Sequence, residues 1–321
     1  MDRFAWTPGK GIDASALARL RLHLQRPSKP MGEAWFMGLE RLMFTELLTD
    51  LDNLQPQELQ RPLVEIASGI SCFGPLEEWT SWYHYLLGAL VTRSHEEFVE
   101  DILEHLVTGF MAVYPNGIQD APYARFREDA LLTLGCAIMD SQCWNGSEIV
   151  VGSILHRSNN NPNRVWCWWD ASGDFSSSMF FCMKYLPESL ITNWFKSVLA
   201  IPSSHWRAQL IAWLVGAHPM LTNQVQWPSQ MKEGVRPSVS WAWSHCLRPE
   251  LATTDRNGET PMASLLPDAS RDAVLQTVHD YFTEDMFIEW LSSISTVPYL
   301  ELELAEIPTT FEHLYLRPNS A

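Results

Sequence analysis

Asp255-Arg256-Asn257-Gly258-Glu259-Thr260-Pro261-Met262-Ala263-Ser264-Leu265-Leu266 is the one stretch of the chain that reads as a complete structural device. Asn257-Gly258 supplies the positive-φ positions that a tight turn requires. Thr260 is placed as a helix N-cap, and Pro261 takes the first helical position, where its missing N–H costs nothing. Met262, Leu265 and Leu266 then fall at i, i+3 and i+4 on one apolar face. Arg256 and Asn257, in the turn itself, count among the candidate binding residues.

The run resembles the turn and first helix of an ankyrin repeat, in which a D-x-x-G turn precedes T-P-L-H-x-A. The resemblance covers about one repeat, residues 250–282, and it implies a stacking, protein-binding unit. It continues through Pro267-Asp268 into a second helix, Ala269 to Tyr281, with Ala273, Val274, Val278 and Phe282 as its buried stripe. Upstream, Ser240 to Leu247 reads as the closing helix of a preceding unit, through Val239, Trp243 and Leu247. A period of about 33 residues would put a second turn at Trp227-Pro228, which keeps the proline but has neither cap nor glycine. The family's histidine is Ala263 here, so the Thr–His network of ankyrin turns is absent. The plainer reading is an ordinary turn running into a capped helix. A calcium loop fits worse, because its twelfth position would be Leu266, where a bidentate Glu is needed.

The chain of 321 residues is 46% apolar, which is ample for an ordered core. Its 15 tryptophans are spread along the length, and most are expected inside. The net charge is −16, and no Lys or Arg occurs between Arg271 and Arg317. A surface of that sign repels phosphate, which argues against DNA, RNA and anionic membranes and for a basic protein partner. Acidity that merely keeps a tryptophan-rich chain soluble is the alternative. Six cysteines show no C-x-x-C or zinc-finger spacing and read as reduced thiols. The N-terminus has no apolar segment of a signal peptide, and the longest apolar run, Leu210 to Ala217, is too short to span a bilayer. The expected protein is soluble and cytoplasmic, and nothing in the sequence calls for a cofactor or metal.

Helical periodicity recurs along the chain: Asp13 to Gln25, Gly32 to Leu51, Leu63 to Cys72, Leu76 to Val91, His95 to Val113, Tyr123 to Met139, Ser176 to Tyr185, Pro187 to Ala200 and Ser204 to Ala217. Pro56, Pro62, Pro75, Pro187, Pro202 and Pro219 mark boundaries, and Ser203-Ser204 offers a cap. Periodicity fades between Asn145 and Asp174. There His156 to Asn163 is rich in turn formers, so a linker is expected at 156–164, between an N-terminal helical region at 1–155 and a C-terminal repeat region at 165–321. Tyr299 to Glu306 alternates with period two and reads as a short C-terminal strand. The expected fold is all-α, an α-solenoid of stacked antiparallel helix pairs.

Two segments carry the candidate sites. His95 to Val113 is the cleanest amphipathic pattern, with Glu97, Asp101 and His105 in one row and Glu96, Glu100 and Glu104 in the next. Such a face either is simply solvated or docks a basic partner. The spacing does not suit a di-iron bundle. Trp166-Cys167-Trp168-Trp169-Asp170 places three tryptophans within four residues, more than one helical face can bury. Trp166, Trp168, Trp169 and Asp170 are therefore candidate binding anchors. A carbohydrate platform with Asp170 and Asp174 as acids is the catalytic alternative, and plain packing is the third reading. G-x-S-x-G, H-E-x-x-H, P-loop and dinucleotide motifs are all absent. His84, His205, His218 and His245 among aromatics read as core residues. The functional expectation is a non-enzymatic binding module for a basic protein, in its concrete form a bacterial immunity protein that masks a toxin. The alternative is an α/α-toroid enzyme acting on a carbohydrate.

Overall fold

A computed structural model of the chain describes residues 4–32, 34, 42–95, 101–150, 154, 171–232, 234–252, 264–297 and 306–317. The fold is all-α, with a two-stranded hairpin as its one sheet among these residues. Helix α1, Ala14–His23, starts where the Asp13 carboxylate accepts the Ala16 N–H at 2.7 Å. Helix α2, Pro56–Phe73, opens on proline, and the Gln55 N–H donates to Glu58 Oε2 at 2.8 Å. Pro62 lies inside it rather than at a boundary. Gly74, at φ 90°, ends it, and α3 follows at Glu77–Leu90. Then come α4, Ile102–Val113, and α5, Phe126–Thr133, whose last turn tightens to 3₁₀ over Leu134–Met139.

Strands β1, Trp144–Asn145, and β2, Glu148–Ile149, pair antiparallel around Gly146, whose φ of 64° suits a primed turn. Helices α6, Gly173–Tyr185, α7, Glu188–Leu199, and α8, Ser204–Leu221, succeed one another. Ser203 caps α8 by accepting the Trp206 N–H, and Pro219 sits in its last turns instead of ending it. A short α9, Pro249–Ala252, precedes α10, Asp268–Tyr281, α11, Glu284–Ile294, and α12, Glu306–Phe311.

Helix α4 is the axis of the core. It packs on α2 and α3 on one side and on α6 on the other, while α7 meets α10 and α8 meets α11 and α12. Phe110 of α4 is surrounded by the rings of Tyr114, Phe126, Phe181 and Tyr185. Gly109 is required beneath Tyr83, because a Cβ there would sit 2.6 Å from the ring. The buried apolar residues form one cluster from Trp6 to Tyr315. Among the described tryptophans only Trp243 is not buried.

Four local expectations are corrected. Within the 95–113 pattern the described helix α4 begins only at Ile102, after Asp101 turns left-handed at φ 59°, and all its residues but Val113 are buried, Glu104 and His105 included. The end of the Gly32–Leu51 pattern is two 3₁₀ turns, Thr45–Leu48 and Leu51–Asn53, because Phe44 is left-handed at φ 55°. Ser240 to Leu247 forms no α-helix: Trp243 is left-handed at φ 60°, and only a 3₁₀ turn, Ser244–Cys246, follows. Glu306, expected to close a strand, opens α12. The Asp255–Ala263 turn, the 156–164 segment and residues 299–305 lie outside the described residues.

Candidate protein-binding site

Of the residues singled out by sequence, Glu97, Glu100, Trp166, Trp168, Trp169, Asp170, Arg256 and Asn257 lie outside the described residues. Asp101 and Glu104 are described. The Asp101 carbonyl accepts from His105 N at 2.9 Å and lies 2.6 Å from His105 Nδ1. Glu104 is 5% exposed, and its carboxylate accepts the Ala242 N–H at 2.6 Å. Beside it the Thr108 hydroxyl donates to the Ala242 carbonyl at 2.6 Å and accepts the Trp241 indole N–H at 2.9 Å. Gly173 lies against the same carboxylate so closely that any Cβ would collide with it. Glu104 therefore fastens α4 to the 241–242 segment and to the start of α6. It is not available to a partner, because a buried carboxylate keeps its charge only by holding such donors.

A second buried group has the composition of a nucleophilic site. His95 Nε2 lies 3.1 Å from the Ala137 carbonyl, and His95 Nδ1 faces Asp174 Oδ2 at 3.4 Å. Burial alone would lower the imidazole pKa, but Asp174 and Cys143 outweigh it and push it up to about 10. Cysteine, histidine and carboxylate together can generate a thiolate nucleophile. Here the three side chains are at most 1% exposed, so no substrate reaches the sulfur. Positions 95, 143 and 174 share no spacing that a sequence reading could use.

A cavity of about 320 Å³ opens where α3 starts and α4 ends. The first two turns of α3 contribute Glu77, Thr80, Ser81 and His84. Tyr114 and the turn after it, with Gly117 at φ 97°, contribute Asn116, Gln119 and Asp120, and Leu251 closes one side. At its base His84 Nε2 and the Tyr114 hydroxyl are 2.7 Å apart with their rings stacked. Burial pushes His84 down to about 4, so it is neutral at physiological pH. Burial, helped by Asp120, raises the Tyr114 phenol. The charged side chains of the lining are Glu77 and Asp120, with no Lys or Arg among the lining residues. Carbonyls at the C-terminal end of α4 are already engaged, Tyr114 by the Tyr185 hydroxyl at 2.8 Å and Pro115 by the Lys184 ammonium at 2.7 Å. Glu77, at the first position of α3, offsets the positive end of that helix. The charged side chains of the lining are thus both acidic.

Its rim is apolar. Phe73 is 71% exposed and Leu76 45% exposed, on either side of Gly74-Pro75. The break between α2 and α3 turns these two side chains outward, with Phe73 leaning on the buried Trp79 ring at 6.1 Å. A second acidic surface, Glu284, Asp285 and Glu289 around the exposed Ile288, offers less free charge. Arg317 lies 3.3 Å from Glu284 and Arg207 3.5 Å from Glu289. The sequence signal for the cavity, the Pro115-Asn116-Gly117 stop after a helix, is visible, but the approach of α3 to that stop is not.

No helix among the described residues is long and apolar enough to cross a membrane. Comparison with protein families, with curated proteins and with solved structures finds no match.

Proposed function

We propose that this chain is a non-enzymatic binding protein for a basic protein partner, and that the cavity between α3 and the 115–120 turn receives a Lys or Arg side chain of that partner. The observation that carries this reading is a cavity with two carboxylates and no Lys or Arg among its lining residues, with exposed Phe73 and Leu76 flanking its lining residue Pro75 in sequence. Aromatic anchors beside a cation pocket are the usual anatomy of a strong contact point, with charge speeding encounter and the apolar contact slowing release. The net charge of −16 steers any basic protein toward the whole surface. An immunity protein, which neutralises a basic toxin by masking it, is the concrete form of this activity.

The test is affinity capture from cells of the source organism with two baits, the wild-type chain and Glu77→Lys/Asp120→Lys. A Lys- and Arg-rich protein retained by the first and lost from the second supports the proposal. A partner that both baits retain equally places recognition elsewhere on the surface.

A further inference from the structure

The end of α2 and the turn before α9 bring together two cysteines that are 174 residues apart in sequence: Cys72 Sγ and Cys246 Sγ lie 3.5 Å from one another. Neither belongs to the cation cavity. Both are half-buried free thiols, whereas Cys136, Cys143 and Cys182 are fully buried. The pairing is held by its surroundings. Gly74 stops α2 just after Cys72, a 3₁₀ turn carries Cys246, and the Arg248 guanidinium donates to the Cys72 carbonyl at 3.1 Å. The sulfurs are in van der Waals contact, so a bond between them needs a displacement of only about 1.5 Å.

We infer that Cys72 and Cys246 form an oxidisable dithiol site, which low-molecular-weight disulfides convert to an intramolecular Cys72–Cys246 disulfide. In the first step one thiol loses its proton. The resulting thiolate attacks a sulfur of the small disulfide, forming a mixed disulfide and releasing one small thiolate. The second protein thiolate then attacks the protein sulfur of that mixed disulfide and releases the other small thiolate. Two protons and two electrons pass from the dithiol to the oxidant, which leaves as two thiols. Burial and the neighbouring Cys72 thiol push Cys246 up to about 11, so the reaction accelerates as pH rises toward that value. The product ties the end of α2, and with it the exposed Phe73, to the 244–246 turn.

The probe is glutathione disulfide, applied to the full chain, to Cys72→Ser and to Cys246→Ser, with peptide mapping under non-reducing conditions. Wild type is expected to lose two thiols, keep no glutathione, and yield a cross-linked peptide pair containing Cys72 and Cys246. Each serine variant should stop at a mixed disulfide on its remaining partner cysteine. Oxidised wild type should melt above its reduced form, a shift that neither variant shows after the same treatment. Glutathione retained on Cys72 or Cys246 in wild type, a cross-link through another cysteine, or two unreacted thiols would each overturn the inference.

Discussion

Two buried basic side chains give the stability of this chain opposite pH dependences. The Lys184 ammonium donates to the carbonyls of Pro115 at 2.7 Å and Leu265 at 3.0 Å, yet burial pushes its pKa down from 10.5 to about 7. Between those values the unfolded chain carries a proton that the folded chain lacks, so stability rises with pH. Raised to about 10 from 6.5, His95 is the reverse case. Over that window the folded chain holds a proton that the unfolded chain lacks, and stability falls with pH. One proton of difference is worth about 1.4 kcal/mol per pH unit. Between about pH 7.5 and 9 each group therefore moves stability by about 2 kcal/mol, with opposite signs. In wild type the two contributions oppose one another, and the buried thiols of Cys136, Cys182 and Cys246, held protonated above their ordinary range, add a downward slope as pH approaches 9. Lys184→Met should lose stability as pH rises, and His95→Gln/Asp174→Asn should gain it. The double substitution is needed because removing His95 alone would leave the Asp174 carboxylate buried without its cation. Urea unfolding at several pH values in that window, read as variant minus wild type so that the common thiol contribution cancels, gives the slopes directly. Variants that both run parallel to wild type would refute the reasoning, whatever their absolute stabilities.

Gly173→Ala forces a methyl group into the Glu104 carboxylate, which cannot withdraw without releasing the Ala242 N–H, and should cost about 3 kcal/mol by denaturant titration. Thr108→Val keeps the shape but leaves the Trp241 indole N–H without its acceptor, so a loss of about 2 kcal/mol is expected. Unfolding midpoints at matched cooperativity check both. For a partner captured with the wild-type chain, Phe73→Ser should speed dissociation with little change in association, whereas Asp120→Asn should slow association at low salt and matter less at high salt. Surface plasmon resonance at two ionic strengths separates these effects.

Much of the helical layout was legible because local signals and tertiary packing agree. Asp13 and Ser203 cap the helices they precede, and of the expected stripe Val274, Val278 and Phe282 are buried while Ala273 is only partly so. The acidic face of α4 was misread because Glu104 and His105 look solvated by spacing alone. Their partners at Ala242 and Asp101 become visible only once the 241–242 segment lies across the helix. That segment has the apolar spacing of a helix, yet it is drawn out against its neighbours. Ala171 N–H donates to the Ser238 carbonyl at 2.8 Å, and Ser176 binds the Val239 carbonyl. Nothing local in Ser240–Leu247 announces those bonds. The cavity escaped for the same reason, since Glu77, His84 and Asp120 are an ordinary acid, a core histidine and a loop acid until α3 and the end of α4 meet. The same holds for Cys72 and Cys246, whose separation of 174 residues carries no spacing signal.

Zero-length carbodiimide coupling of the chain to its captured basic partner tests the central claim most directly, because the reagent joins only a carboxylate and an amine in direct contact. The account predicts cross-links from Glu77 or Asp120 to a partner lysine, suppressed when free lysine is added in excess. Cross-links confined to Asp285, Glu289 or other acids of the C-terminal helices, with Glu77 and Asp120 unmodified by the partner, would contradict it.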